Sequence, residues 1–159
     1  MAQTQAPDVN NGLTTEARNH LVGHLADVLD CVYSLMVRTQ VYHWNVEGPL
    51  FEPVHKLTEA QYTAHFSAVD EIAERMRALD GKPAVGNGFP TGVVNLPLTQ
   101  SAESMIEDLV RQTETVVRRM REVVAAAEGA DDVVTADLLT GLIARHEKDA
   151  WMLRTTLRN

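Results

Sequence analysis

Apolar residues recur three and four positions apart along almost the whole chain, a period that belongs to the α-helix. No stretch shows the alternation of a half-buried strand, and no internal repeat or low-complexity tract interrupts the pattern. The first helix is expected to open at Thr14 or Thr15, whose hydroxyls suit a cap, and to run to about Asn45. Its stripe reads Leu21, Leu25, Val28, Val32, Leu35 and Thr39, and the next step of four lands on His43. Gly48 and Pro49 then break the helix. A second helix is expected from around Pro53 to about Asp80, stopped by Gly81 and Pro83. A third opens near Ser101 and ends at Gly129. The fourth opens near Asp131 and Asp132, with apolar positions Val134, Leu138, Leu142, Ile143 and Trp151. Between helices two and three, residues 85–100 hold Gly86, Gly88, Pro90, Gly92 and Pro97, which suits a long crossover rather than a hairpin. Two short connections and one long crossover predict an all-α four-helix bundle.

At 159 residues the chain is one domain's worth. Residues 1–13 are expected to be a flexible N-terminal segment and 14–159 the bundle. The apolar runs are short and interrupted by charge, so no membrane span is expected. The N-terminal residues have neither basic side chains nor an apolar stretch, unlike a secretory leader. A single cysteine, Cys31, cannot close an internal disulfide, which fits a reducing cytoplasm. The net charge of −8 repels nucleic acid and attracts cations.

The chemistry-bearing residues gather at the end of helix one and along helix two: His43, then His55, Glu59, Asp70 and Glu74. With residue 55 at zero on a helical wheel, Glu59 falls near 40°, Asp70 near 60° and Glu74 near 100°, at about 100° per residue. Tyr62, Phe66 and Ala73 share that side, so the polar groups sit on a partly apolar face. Charged side chains on such a face need a partner, and a metal ion is a good one. Taken singly, Asp70 and Glu74 read as a solvated helix edge and His43 as a core histidine; their combination with His55 points to metal. Imidazole and carboxylate without thiolate suit iron, manganese or zinc.

A distance sets the architecture. His55 and Asp70 are fifteen residues apart, roughly 22 Å along a helix, whereas metal–ligand bonds are about 2 Å. One helix cannot deliver both to the same ion. His43 and His55 make one half-site, and Asp70 with Glu74 makes another. Two copies of helix two, antiparallel across a two-fold axis near Tyr62 to His65, would join each half to the other chain's complement. On this pairing His65 is expected to lie near the axis, mainly in a packing or hydrogen-bonding role, with an accessory metal contact as the sharper alternative. The only Glu-x-x-His string, Glu52 to His55, straddles the helix start and has no counterpart in helix four, so a site within one bundle is disfavoured.

The strings His43-Trp44-Asn45-Val46 with Gly48 and Phe51, then His55, Tyr62 and Asp70-Glu71-Ile72-Ala73-Glu74-Arg75, resemble the Dps family (DNA-binding proteins from starved cells, or miniferritins). So do Thr135-Ala136-Asp137-Leu138-Leu139, His146-Glu147-Lys148 and Trp151-Met152-Leu153-Arg154; the resemblance covers about residues 14 to 158. It implies a ferritin-like four-helix bundle and a homo-dodecamer built from two-fold dimers. It further implies a ferroxidase that oxidises Fe(II) with hydrogen peroxide or dioxygen and stores Fe(III) oxyhydroxide in the shell. The implied iron ligands are His43, His55 and Glu59 of one chain with Asp70 and Glu74 of its partner. Trp44 and Tyr62 are then placed beside the centre as electron donors, with structural packing an equal reading for Trp44 and compatible with that role. Position 59 departs from the aspartate common in the family. The stretch Gly86-Asn87-Gly88-Phe89-Pro90 is poor helix material where relatives often carry a short helix.

The resemblance also places the start of helix four at a three-fold pore, so Glu128, Asp131, Asp132 and Asp137 are pore candidates; offsetting the helix dipole is their plainer role. His20 and His24, one turn apart, read mainly as exposed bystanders, with a surface metal as the sharper alternative. Family members that bind DNA use lysine-rich tails. Residues 1–13 hold no Lys or Arg, and the chain stops at Arg158-Asn159, so weak or no DNA binding is expected. The alternative function is a nucleoid-packing protein with little ferroxidase activity.

Overall fold

The computed structural model describes residues 9–84, 96 and 100–158. Four helices follow one another: α1 (Thr15–Asn45), α2 (Phe51–Ala78), α3 (Ala102–Gly129) and α4 (Val133–Thr156). Three of them start on a side-chain cap. Thr14 accepts from the Ala17 amide, Ser101 from Ser104 and Asp132 from Thr135, each satisfying an N–H with no partner inside its helix. Just before α1, Leu13 packs against the core and its carbonyl accepts from Arg18 Nη1 at 2.9 Å. Of the expected N-terminal segment, residues 1–8 lie outside the described residues, as does the 85–100 crossover apart from Leu96 and Gln100.

Ion pairs fix the directions of the helices. Arg38 of α1 pairs with Asp108 of α3, and Asp27 with Arg119, so the two helices run antiparallel. The short turn through Gly48 makes α1 and α2 antiparallel as well. Hence α2 and α3 are parallel, and the chain between them must travel back along the bundle, roughly 42 Å for a helix of 28 residues. This is the four-helix ferritin-like arrangement with its gap between the second and third helices.

The expected α1 stripe is buried throughout, and His43 continues it at 7% exposure. Helix α4 differs from expectation. Its buried side is Thr135, Leu139, Leu142, Ile143, His146, Ala150 and Leu153, while Val134 and Trp151 are exposed. Helix stops also differ. The left-handed residues are Asp80 (φ 68°) and Asp131 (φ 58°), not Gly81 or Gly129. After each, an amide reaches five residues back, Gly81 to the Met76 carbonyl at 2.8 Å and Asp132 to Ala127 at 2.9 Å. Gly81 is needed for another reason: a Cβ there would stand 2.6 Å from Val22 Cγ1.

The expectation that no segment could span a membrane is also corrected. By length and composition alone, α1 is long and apolar enough. Its apolar stripe is nonetheless taken up by the bundle core, which is what a core helix of this length looks like.

Candidate functional site

The turn between α1 and α2 builds the histidine half. Helix α1 ends with the Val46 amide on the Tyr42 carbonyl at 2.9 Å. Gly48 takes φ +86°, a conformation that side chains disfavour, and its carbonyl receives the Phe51 amide at 3.0 Å. The chain thus reverses in a few residues and sets His43 against His55. Their rings stack with centroids 3.8 Å apart and planes 18° apart. Each Nδ1 reaches the other's backbone carbonyl, His43 Nδ1 to His55 O at 2.8 Å and His55 Nδ1 to His43 O at 2.9 Å. A carbonyl only accepts, so both Nδ1 atoms carry the protons and both Nε2 atoms keep their lone pairs. Such a fixed tautomer is how metal-binding histidines are oriented.

Neighbours brace the pair. Thr58, bonded to the Val54 carbonyl at 2.7 Å, lies 3.4 Å from His43 Nδ1. Tyr62 meets His43 edge-on at 5.2 Å and Phe51 stacks on His55 at 5.0 Å. Beneath them Tyr42 donates to Asp108 at 2.8 Å, beside the Arg38–Asp108 ion pair. Burial and that bond push the Tyr42 hydroxyl up to about 12. Burial works against the Asp108 carboxylate, but the bonds from Tyr42 and Arg38 hold it below its ordinary value. Arg38 and Asp108 carried no signal in the sequence, because their pairing spans 70 residues.

The carboxylate half lies farther along α2. Glu59, Asp70 and Glu74 are all exposed on the protomer, with Phe66, 66% exposed, between them. Arginines tie this stretch to α4 on both flanks. Arg75 reaches Asp132 at 2.7 Å and Thr135 at 2.8 Å, and Arg145 grips Glu71 at 3.0 and 3.2 Å. Among the described residues, no three His, Cys, Asp or Glu side chains gather around one point within the chain. The structure therefore brings His43, His55 and Tyr62 together and keeps Asp70 and Glu74 apart from them. Trp44, beside His43 in the chain, is 64% exposed.

Two expected placements change. His65 does not lie at an exposed axis: it is 2% exposed and stacks inside the bundle on His146, centroids 4.9 Å apart and planes 16° apart. The wheel held the signal, since residue 65 falls about 80° to the far side of residue 55 and continues the buried series Val54, Thr58, Gln61, His65, Ala68, Ile72 and Met76. Burial, with His146 beside it, lowers His65 to about 3, and burial lowers His146 as well. Asp132, a pore candidate, is 3% exposed. Burial opposes its charge, but bonds from Arg75 and Thr135 hold its carboxyl below the usual range, so this carboxylate is engaged within its own chain. Glu128, Asp131 and Asp137 are exposed.

Comparison with known proteins gives a consistent picture. Residues 22–159 match the ferritin family, described as a ferritin-like domain. The chain is 38% identical to an uncharacterized low temperature-induced protein of Nostoc sp. over 94% of this chain and 86% of that protein. It is 33% identical to DNA protection during starvation protein 2 of Bacillus anthracis, over 77% of this chain and 86% of that protein. Among solved structures, Dps from Thermosynechococcus elongatus superposes with a TM-score of 0.81 at 29% identity, covering 91% of this chain and 94% of that one. The Vibrio cholerae Dps protein, described as belonging to a broad superfamily of ferritin-like diiron-carboxylate proteins, gives a TM-score of 0.84 at 26% identity, covering 98% of this chain and 100% of that one.

Proposed function

This chain belongs to the Dps family of ferritin-like proteins, and from that premise we propose that it is an iron-detoxifying ferroxidase. Fe(II) is its substrate, oxidised at centres shared between two protomers, and Fe(III) oxyhydroxide is stored inside a shell of twelve chains in the cytoplasm. The observation that carries this reading is the reciprocal His43–His55 pairing, which presents two oriented lone pairs with no carboxylate of the same chain, among the described residues, to complete them.

The stacking of the two rings supports a centre with two ion positions. An ion lies in the plane of each imidazole that binds it, so near-parallel rings 3.8 Å apart cannot share one. They suit two adjacent positions, and two-metal sites place their ions about 3.5–4 Å apart. The missing charge comes from a second chain. Antiparallel pairing of two α2 helices puts Asp70 and Glu74 of one against His43 and His55 of the other, with Glu59 alongside. The exposed Phe66 then falls near the axis, where an apolar side chain gains by burial.

Carboxylates favour Fe(III) over Fe(II) because the higher charge gains more from them, so electron loss becomes easier. Two Fe(II) surrender one electron each to one hydrogen peroxide. With two waters the products are two FeOOH and four protons, and no radical is released. Trp44 and Tyr62 stand beside the centre as donors to any unpaired oxidising equivalent. Exposed Glu128, Asp131 and Asp137 are the acidic groups available to draw Fe(II) toward an entry pore. A nucleoid-packing role finds no support in a net charge of −8, because backbone binding requires cationic contacts.

Mixing the protein with Fe(II) and peroxide in stopped flow tests the reading. Ferric absorbance is expected to grow rapidly in the wild type and to slow by about a hundredfold in Asp70→Ala with Glu74→Ala, the scale on which lost ligand-shell contacts act. Equal rates in the two proteins, or a salt-sensitive DNA gel shift as the sole activity, would remove it.

A further inference from the structure

All six histidines of the chain fall into pairs, and the pairs are not alike. Two pairs stack with planes 18° and 16° apart. The third, His20 and His24, meets edge to face at 73° with ring centroids 4.4 Å apart. Rings at a steep angle have planes that cross, so both can hold one ion. The two Nε2 atoms stand 3.2 Å apart. Two imidazole nitrogens on one ion, with bonds of about 2.1 Å and an angle of about 100° between them, are separated by about the same distance. Two histidines one turn apart on one helix face are the spacing that many zinc-binding helices use.

We propose that His20 and His24 form a chelating site for a late first-row divalent cation, with Cu(II) held most tightly and Zn(II) also accepted. Imidazole nitrogen suits both ions, and the stability order of divalent metals places Cu(II) above Zn(II). The surroundings fit. Glu16, one turn before His20, lines a concave surface with it against Ala126, Gly129 and Ala130 at the end of α3. Burial, His20 and Arg119 together lower His24 from its ordinary value, which keeps its ring neutral and able to ligate near pH 7.

The proton balance is explicit. Arg119 Nη2 contacts His24 Nδ1 at 3.3 Å, and a guanidinium only donates. His24 therefore carries its proton on Nε2 and donates it to His20 Nε2. A bound ion takes the place of that bridging proton, which passes through water to Nδ1. Arg119 then releases His24 and keeps its shorter bonds to Asp27 and Glu122. Two protein donors leave the remaining positions to water. The site lies roughly 28 Å along α1 from His43, at 1.5 Å per residue, so it stands or falls independently of the iron reading.

The test is Cu(II) titration of the full-length assembled protein, followed by calorimetry and by electron paramagnetic resonance. The variants are His20→Ala, His24→Ala and His55→Ala. The wild type is expected to bind Cu(II) with a two-nitrogen hyperfine pattern that His55→Ala keeps and His20→Ala loses, whatever further Cu(II) the His43–His55 pair takes up. Binding in His20→Ala and His24→Ala is expected to weaken more than about tenfold, the scale of losing a metal-site contact. His20 is exposed, so His20→Ala keeps the test valid should His24→Ala fold poorly. Unchanged stoichiometry and affinity in His20→Ala, no Cu(II) bound by the wild type, or binding lost only in His55→Ala would each overturn the proposal.

Discussion

His55 and His65 sit ten residues apart on the same helix, each stacked on a second histidine, yet the two pairs meet opposite surroundings. The His43–His55 pair lies at a turn between helices, its protons pinned to backbone carbonyls and its lone pairs left for a visitor. The His65–His146 pair lies across the α2–α4 contact inside the bundle, both rings 2% exposed. There His146 Nδ1 bonds the Leu142 carbonyl at 2.8 Å, while its Nε2 is buried with no hydrogen-bond partner among the described residues. The lesson is that a stacked imidazole pair is a ligand set only where its lone pairs face somewhere an ion and its counter-charges can reach. About 80° of rotation around one helix separates the two outcomes.

The largest effect expected from this contrast is kinetic. His55→Ala should slow peroxide-driven Fe(II) oxidation by about a hundredfold while shifting unfolding free energy by less than about 1 kcal/mol, because its surroundings stay partly solvated. Stopped-flow rates beside denaturant melts measure both. The mirror substitution is His146→Ala, a truncation inside a packed core. It should cost about 2–3 kcal/mol in stability and leave the oxidation rate per assembled shell nearly unchanged. A rate that collapsed with His146→Ala at full stability would erase the distinction between the pairs.

Acid should sharpen it. In the folded chain His65 titrates at about 3 against an ordinary 6.5. Between those values the unfolded chain binds a proton that the folded chain refuses, so stability is complete above about pH 6.5 and falls as pH drops toward 3. Each pH unit in that window should lower the folded-to-unfolded ratio by about tenfold through His65 alone. Replacing His65 with Leu should flatten that slope in melts taken from pH 7 to pH 4. The smallest effect concerns the acids near α4. Asp137→Ala with Glu128→Ala should slow iron uptake a few-fold at low salt and less at high salt, with melting unchanged, because both are exposed. Asp132→Ala should instead lower stability, since it removes a helix cap and strands Arg75.

Much of this was legible in the sequence. Periodicity located four helices and the α1 stripe, and the helical rise showed that His55 and Asp70 cannot share an ion within one chain. Less visible were pairings across long stretches of chain. Arg75 with Asp132, Arg38 with Asp108, and His65 with His146 are each set by packing of helices whose order in space the local pattern does not encode. The left-handed conformations of Asp80 and Asp131 carry no sequence signal of their own, because Gly81 and Gly129 nearby already account for each helix stop. The packing role expected of His65 holds, but not its place at the axis: distance along a helix fixes its level, and only the angle around the helix fixes which side it faces.

The central claim is that neither protomer owns a complete centre, and a mixing experiment addresses it directly. Chains carrying His43→Ala with His55→Ala are expected to be nearly inactive alone, as are chains carrying Asp70→Ala with Glu74→Ala. Co-assembled in equal amounts from the unfolded state, half the two-fold dimers are hybrids, and each hybrid holds one centre built wholly from unsubstituted halves. About a quarter of the wild-type oxidation rate should return. Mixed shells that assemble fully and stay inactive would contradict the account.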